Sequence, residues 1–159
     1  GNVYRSTAIR FDRDFSLNWS FSCTGGTGAD GFCLQWTTTN NTNGGGGGSV
    51  GYISGAYNAL QFKTYINNSI TWIHNGTSQG STSVSSGYFR QVVYYWLDYK
   101  HSTGVAELYY STSNSKPASS QRTLTGFTFD STAYYIGFGA ATGGSTDNHI
   151  LRDWTLAFT

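Results

Sequence analysis

The chain has 159 residues, enough for one domain with a sizeable core, and sets 9 Lys and Arg against 8 Asp and Glu for a net charge of +1. Only 11% of residues are charged, while 38% are hydrophobic and 17% aromatic. That balance excludes a charge-rich disordered chain, the basic stripe a nucleic-acid partner requires, and an acidic or polybasic tail.

Strand signals dominate in chain order. Phe15 to Cys23 alternates apolar and polar residues, the period of a half-buried strand. A Gly/Thr turn over Thr24 to Gly28 precedes a second alternating run, Phe32 to Trp36. Asn40 to Ser49 holds five consecutive glycines, Gly44 to Gly48, and the entropy cost of ordering such a run predicts a mobile loop. Further strands are expected at Ala59–Ile66, Ile70–Ile73, Gln91–Tyr99, Val105–Tyr110, Leu124–Phe129, Tyr134–Gly139 and Ile150–Phe158. Many short strands with turn clusters between them predict an all-β, antiparallel β-sandwich of jelly-roll type. No repeat divides it, so residues 1–159 are read as a single domain. The sequence lacks Met and starts at Gly1, which is read as a domain excised or processed from a longer chain. No window is long and apolar enough for a membrane helix, and no membrane insertion is expected.

Cys23 and Cys33 flank one turn. Low charge and abundant Ser, Thr, Asn, Gly and Tyr fit an extracellular, cell-surface or virion-surface protein, where a disulfide is favoured. Cys33 nevertheless alternates out of phase with Phe32 and Leu34, whereas Cys23 shares the Trp19/Phe21 face, so strands paired without a bulge would keep the thiols apart. A bridge and two buried thiols both stay open.

The order of segments resembles the legume-lectin-like (L-type), or concanavalin A-like, lectin family over nearly the whole chain. The early stretch Ser6 to Ile9, with the Phe15–Phe21 alternation after it, is similar to the family's first strands. Ala29-Asp30-Gly31-Phe32 resembles its sugar-site motif, Gly51-Tyr52-Ile53-Ser54-Gly55 its glycine loop, and Leu60-Gln61-Phe62-Lys63-Thr64 its metal-bearing strand. Leu97-Asp98-Tyr99, Gly137 to Gly143, and the closing His149 to Phe158 stretch follow in the family's order. The resemblance implies a concanavalin A-like sandwich and carbohydrate binding by loops at one end.

The departures are as informative. Gln61 and Lys63 stand where the family has a Glu and a metal-bridging Asp. Asn67 matches a ligand Asn, but the acidic loop after it is missing. Ca²⁺ takes six to eight oxygen ligands, several of them carboxylates, and an ammonium repels it, so no calcium and no other cofactor is expected. Lys63 pairing with Asp30 would restore the lost charge; a solvent-facing Lys63 beside an ordinary turn Asp30 is the other arrangement.

The resemblance offers Asp30, Gly51, Tyr52, Gly55, Asn67, Gly144, Ser145 and Asp147 as carbohydrate-binding candidates. A carboxylate such as Asp30 accepts two vicinal hydroxyls through charge-assisted bonds. Tyr52 and Tyr57 are expected to stack on sugar faces, while Trp19, Trp36, Trp96 and Trp154 are assigned to packing. His74, His101 and His149 have no metal spacing. Asn18, Asn40, Asn67 and Asn75 begin glycosylation sequons. Glu107 is the sole Glu, no strand carries a catalytic pair of acids, and no nucleophile elbow or phosphate loop occurs, so no enzyme is expected. The expected partners are glycans or glycoproteins. A homo-oligomer or larger surface assembly is compatible with the sequence. The alternative function is an adhesive or structural module that keeps the fold without sugar binding.

Overall fold

Alternation is what builds the core. In a computed structural model covering residues 1–159, Phe15, Leu17, Trp19, Phe21 and Cys23 of one strand all point inward and are buried. That strand, β3 (Phe15–Thr24), sits in a five-stranded antiparallel sheet ordered β10 (Arg122–Leu124), β9 (Val105–Ser111), β8 (Val93–Lys100), β3, β12 (Asn148–Phe158). The facing sheet has seven strands. Its path runs β1 (Asn2–Tyr4), β11 (Ala133–Ala141), β4 (Gly31–Thr37), β5 (Asn58–Lys63), β6 (Ser69–His74), β7 (Thr77–Ser83), with β2 (Ile9–Arg10) also pairing β11.

The two inner faces meet in a 25-residue core cluster. Phe21 of one sheet stacks on Phe32 of the other with centroids 3.9 Å apart, and Phe32 continues the stack onto Phe62 at 4.4 Å. Aromatic burial of this kind supplies most of the apolar area that holds a sandwich closed.

Several expectations are corrected. The strand expected at Leu124–Phe129 ends at Leu124, because Gly126 turns the chain at φ +70°; Phe127 and Phe129 then plug the core from a loop. The strand expected at Ala59–Ile66 stops at Lys63, since Ile66 adopts φ +57° in a turn. Strand β7 is polar throughout and gave no alternation to read. It pairs with β6 so that Trp72 faces Gly80 in register, the indole occupying the space a Cβ would take. Trp96 is not a core residue: Val93, Tyr95, Leu97 and Tyr99 point inward, which turns Trp96 to the outer face of the five-stranded sheet.

Cys23 lies on β3 and Cys33 on β4, in different sheets, and both are free and buried. Cys23 faces the core; Cys33 occupies the opposite face of its own sheet from Phe32 and Leu34. Burial pushes both thiols up to about 12.

The glycine-rich segment is pinned rather than loose. It lies across the outer face of the seven-stranded sheet, where Gln35, fully buried, donates to the Gly51 carbonyl at 3.1 Å and accepts from the Ile53 N–H at 2.9 Å. Asn2 donates to the same Gly51 carbonyl at 2.8 Å, and Gln61 donates to the Ser49 carbonyl at 3.3 Å. Buried amides of the sheet thus find their partners in the loop backbone, and this offsets the entropy of ordering it.

Candidate functional site

Four strand ends converge at one corner of the seven-stranded sheet. Ala141 pairs with Gly31, Gly31 with Lys63, and Lys63 with Ser69. Asp30 precedes this row, reached through a cis Ala29–Asp30 peptide bond. Its N–H donates to the Ala141 carbonyl at 3.0 Å and its carbonyl accepts from the Thr64 N–H at 2.9 Å, so the backbone is fixed on both sides.

The carboxylate is less fully served. Asp30 is 9% exposed, and its Oδ2 is covered yet has no hydrogen-bond partner in the chain. A buried acceptor without a donor carries a desolvation penalty. What covers it is thin. A Cβ built on Gly143 would lie 3.2 Å from Oδ2 and one on Gly47 3.9 Å away. The Gly47 N–H donates to the Thr142 carbonyl at 3.1 Å, joining the glycine-rich segment to the 142–147 loop above the carboxylate. The arrangement leaves Oδ2 short of one donor, behind two residues that have no side chains.

The other candidates divide sharply. Gly144 is exposed and Ser145 half-buried, both in the loop over Asp30; the Ser145 carbonyl accepts from the Gly143 N–H at 3.1 Å. Asn67 is exposed in the turn after Thr64, its N–H bonded to the Tyr65 carbonyl at 2.6 Å. Gly51 is sealed: at φ +81° it packs against β11, where a Cβ would meet the Ala140 nitrogen at 2.6 Å. Its carbonyl is already taken by Asn2 and Gln35, so it offers nothing to a ligand. Tyr52 is half-buried beside Ser49, and burial raises its phenol. Gly55 is exposed in a turn at the other end of β4, where the Tyr57 N–H bonds the Trp36 carbonyl. Tyr57 itself stacks on Tyr134 at 4.6 Å and meets His74 edge-on at 5.0 Å, so its ring is spoken for.

Asp147 has another task than ligand contact. Its carboxylate is fully buried, accepts from the Gly26 N–H at 3.2 Å, and pairs with Arg90 at 3.1 Å. Arg90 also donates to the Gly26 carbonyl at 3.0 Å. The clasp ties the 24–28 turn, Arg90 and the 142–147 loop together behind Asp30.

Lys63 does not pair with Asp30: the four ion pairs of the chain are Arg10–Asp12, Arg90–Asp147, Lys100–Asp14 and Lys116–Asp98. Nor does the donor set fit a divalent ion. The Gln61 amide is turned as a donor to Ser49, Lys63 contributes an ammonium, and no three His, Cys, Asp or Glu side chains cluster anywhere in the chain. Hard cations need several anionic oxygens.

The sequence reading missed Tyr65, 47% exposed, and Ile66, 75% exposed, in the same turn. Thr64 ties that turn to Asp30 through its N–H and to the Gly28 carbonyl through Oγ1 at 3.3 Å. The signal was present, an aromatic and an aliphatic residue beside two asparagines, but the alternation placed them inside a strand.

No family model and no curated protein sequence matches the chain. Solved structures do. The exoplasmic/lumenal domain of VIP36, bound to Ca²⁺ and mannose, superposes with a TM-score of 0.81 over 100% of this chain and 73% of its own, at 18% identity. Winged bean acidic lectin in complex with methyl-α-D-galactose gives 0.77 over 98% and 78%, at 18% identity. The lectin of Bauhinia forficata in complex with GalNAc gives 0.78 over 98% and 78%, also at 18%. At such identities it is the architecture that is shared, and the chain has the legume-lectin-like β-sandwich fold.

Proposed function

We propose that this chain is a non-catalytic carbohydrate-binding domain that grips a sugar hydroxyl at the Asp30 corner without a divalent ion. The observation that carries this reading is the buried Oδ2 of Asp30 with no donor of its own, at a loop corner roofed by Gly47 and Gly143. A hydroxyl supplies the missing donor, and a charge-assisted bond is the stronger kind. In this reading Gly144 and Ser145, in the loop after Gly143, and Asn67 and the exposed Tyr65, in the turn after Thr64, supply further contacts, the Tyr65 ring being suited to the apolar face of a pyranose. Sugars bound by VIP36, winged bean lectin and the Bauhinia lectin make mannose, galactose and GalNAc glycans the first ligands to try. An extracellular or lumenal setting goes with this reading, as does multivalent presentation, because single hydroxyl contacts exchange water for protein at little net gain.

The carboxylates support a non-catalytic role. Asp98 and Glu107 stand opposite each other on β8 and β9, but each is engaged. Asp98 binds Ser16 and Lys116, and Glu107 binds Ser120 and Thr123.

The test is a glycan array and calorimetry with methyl-α-D-mannoside, methyl-α-D-galactoside and GalNAc. Binding that survives EDTA and is lost in Asp30→Ala supports the proposal. A blank array with folded protein sinks it in favour of an adhesive or structural module. Binding abolished by EDTA sinks its metal-free part.

A further inference from the structure

The outer face of the five-stranded sheet carries a second, unassigned feature. Pairing sets Asn18 of β3, Trp96 of β8 and Tyr109 of β9 in one row across that face, with Ser20, Tyr94 and Ser111 in the next. Neighbouring strands lie about 4.8 Å apart, so this register puts three aromatic residues, Tyr94, Trp96 and Tyr109, on the same face among short polar side chains. Tyr94 and Trp96 are half-buried.

Two structural devices turn this patch into a walled depression. The first is a β-bulge in β12. Leu151 pairs with Phe21 and Trp154 with Trp19, so Arg152 and Asp153 together face the single residue Ser20. A bulge re-aims side chains out of strict alternation, and this one presents Asp153 at the rim. Arg152 is held aside by its bond to Ser22 Oγ at 2.7 Å. The second is the loop after β9. Lys116 bonds Asp98 and sits over the Tyr109 ring, 4.3 Å from its centroid, which anchors the loop and brings Asn114 to the opposite wall. The depression so enclosed measures about 260 Å³, lined by Asn18, Ser20, Tyr94, Trp96, Asn114 and Asp153.

Its chemistry selects a ligand. Ser16, Ser22 and Lys116 nearby are tied to Asp98, Arg152 and Asp98, whereas the polar ends of Asn18, Ser20, Tyr94, Trp96, Asn114 and Asp153 have no partner within the chain. Aromatic side chains set among free amide, hydroxyl and carboxylate groups match a molecule with one apolar C–H face and an equatorial belt of hydroxyls. The Arg152 guanidinium beside Asp153 is turned onto Ser22, so a carboxylate is the one charged group of the lining, which disfavours an anion, and so many polar groups disfavour a purely apolar guest. We propose that this depression is a second carbohydrate site, stacking a neutral pyranose on Trp96, with Asp153 and Asn18 accepting and donating hydroxyl bonds. It shares no residue with the Asp30 corner and lies on the other sheet, so one domain would engage two points of a glycan.

The test uses unglycosylated protein, since Asn18 begins a sequon, and follows the Trp96 indole N–H by NMR during titration with methyl β-D-glucoside, methyl β-D-galactoside and cellotriose. The expected result is a saturable shift of that resonance and of the Asn18 and Asn114 amides. It persists in Asp30→Ala, and binding read from the Asn18 and Asn114 amides weakens roughly tenfold in Trp96→Ala and in Asp153→Ala; unchanged melting of Asp153→Ala guards against a folding artefact. Persistence in Asp30→Ala separates this site from the loop site, whichever of the two fails. No shift with any of the three sugars at saturating concentration overturns the proposal. So does a shift of the Asn18 and Asn114 amides lost in Asp30→Ala but kept in Trp96→Ala, or a concentration-dependent shift without sugar, which would mark the face as a contact between two copies of the chain.

Discussion

Gly143 stands so close to Asp30 that a single added carbon would lie 3.2 Å from the carboxylate oxygen that has no partner. Because Gly143 has no left-handed backbone requirement, a larger residue there tests access rather than folding. Gly143→Val is expected to weaken sugar binding at least tenfold, about 1.4 kcal/mol, with the melting temperature nearly unchanged. Calorimetry and a thermal scan on the same preparation check it, and undiminished affinity would remove Asp30 from the ligand contact.

The Arg90–Asp147 clasp predicts the opposite pattern. Removing Arg90 leaves the Asp147 carboxylate buried without its counter-charge, a loss of about 3 kcal/mol for a buried ion. Arg90→Ala should therefore lower stability in urea by that order. Sugar affinity, measured where the variant is still folded, should fall less than in Asp30→Ala. A variant as stable as the parent would mean that Asp147 is not structural.

Acid should weaken the fold through His149. Burial holds its imidazole below the usual 6.5, with Asp147 and Asp30 pulling the other way and the N-terminus adding to the depression. Its Nε2 is covered and unpartnered. In the unfolded chain the ring takes a proton near 6.5, and in the folded chain only at lower pH, so the unfolded state binds more protons across that window and stability rises with pH there. His74, also depressed by burial, adds in the same sense. Melting temperature should fall as pH drops from about 7.5 to about 5, above the range where carboxylates titrate. The slope should be shallower in His149→Gln. A slope of the reverse sign would show that His149 gains its proton on folding.

The two thiols should behave as inert core groups. Cys23 and Cys33 lie in different sheets, fully covered, with thiol pKa values raised to about 12. Thiolate is the reactive form. Native protein at pH 8 should resist an aromatic disulfide reagent until denaturant is added, then release two equivalents. Its melting temperature should not respond to a reductant. One equivalent released without denaturant would place a thiol at the surface.

Much of the sandwich was legible because its strands are half-buried: the Phe15–Cys23 and Phe32–Trp36 alternations fix both element and inward face. What resisted was structure made by long-range partners. Polar β7 exists because β6 offers it a ladder and Trp72 a lid over Gly80. The Leu124–Phe129 run is apolar because it plugs the core, not because it is extended. Trp96 reads as core by composition and is turned outward by a phase set at Val93. In the candidate site, Asp30 and the Gly144–Ser145 loop were offered by the family resemblance of short stretches around them. The burial of Gly51 and the Arg90 partner of Asp147 were not, since both depend on segments more than fifty residues away.

The sequence by itself determined the class of fold, through period-2 alternation and turn residues, and that an amide and an ammonium, Gln61 and Lys63, stand on β5 where the lectin resemblance would have carboxylates. Only the tertiary structure decided which polar groups are spent on holding the chain and which are left over. Hydrogen bonds between distant segments consume Gly51 and Asp147 while sparing Asp30 and the rim of the Trp96 depression, and no local pattern encodes that division.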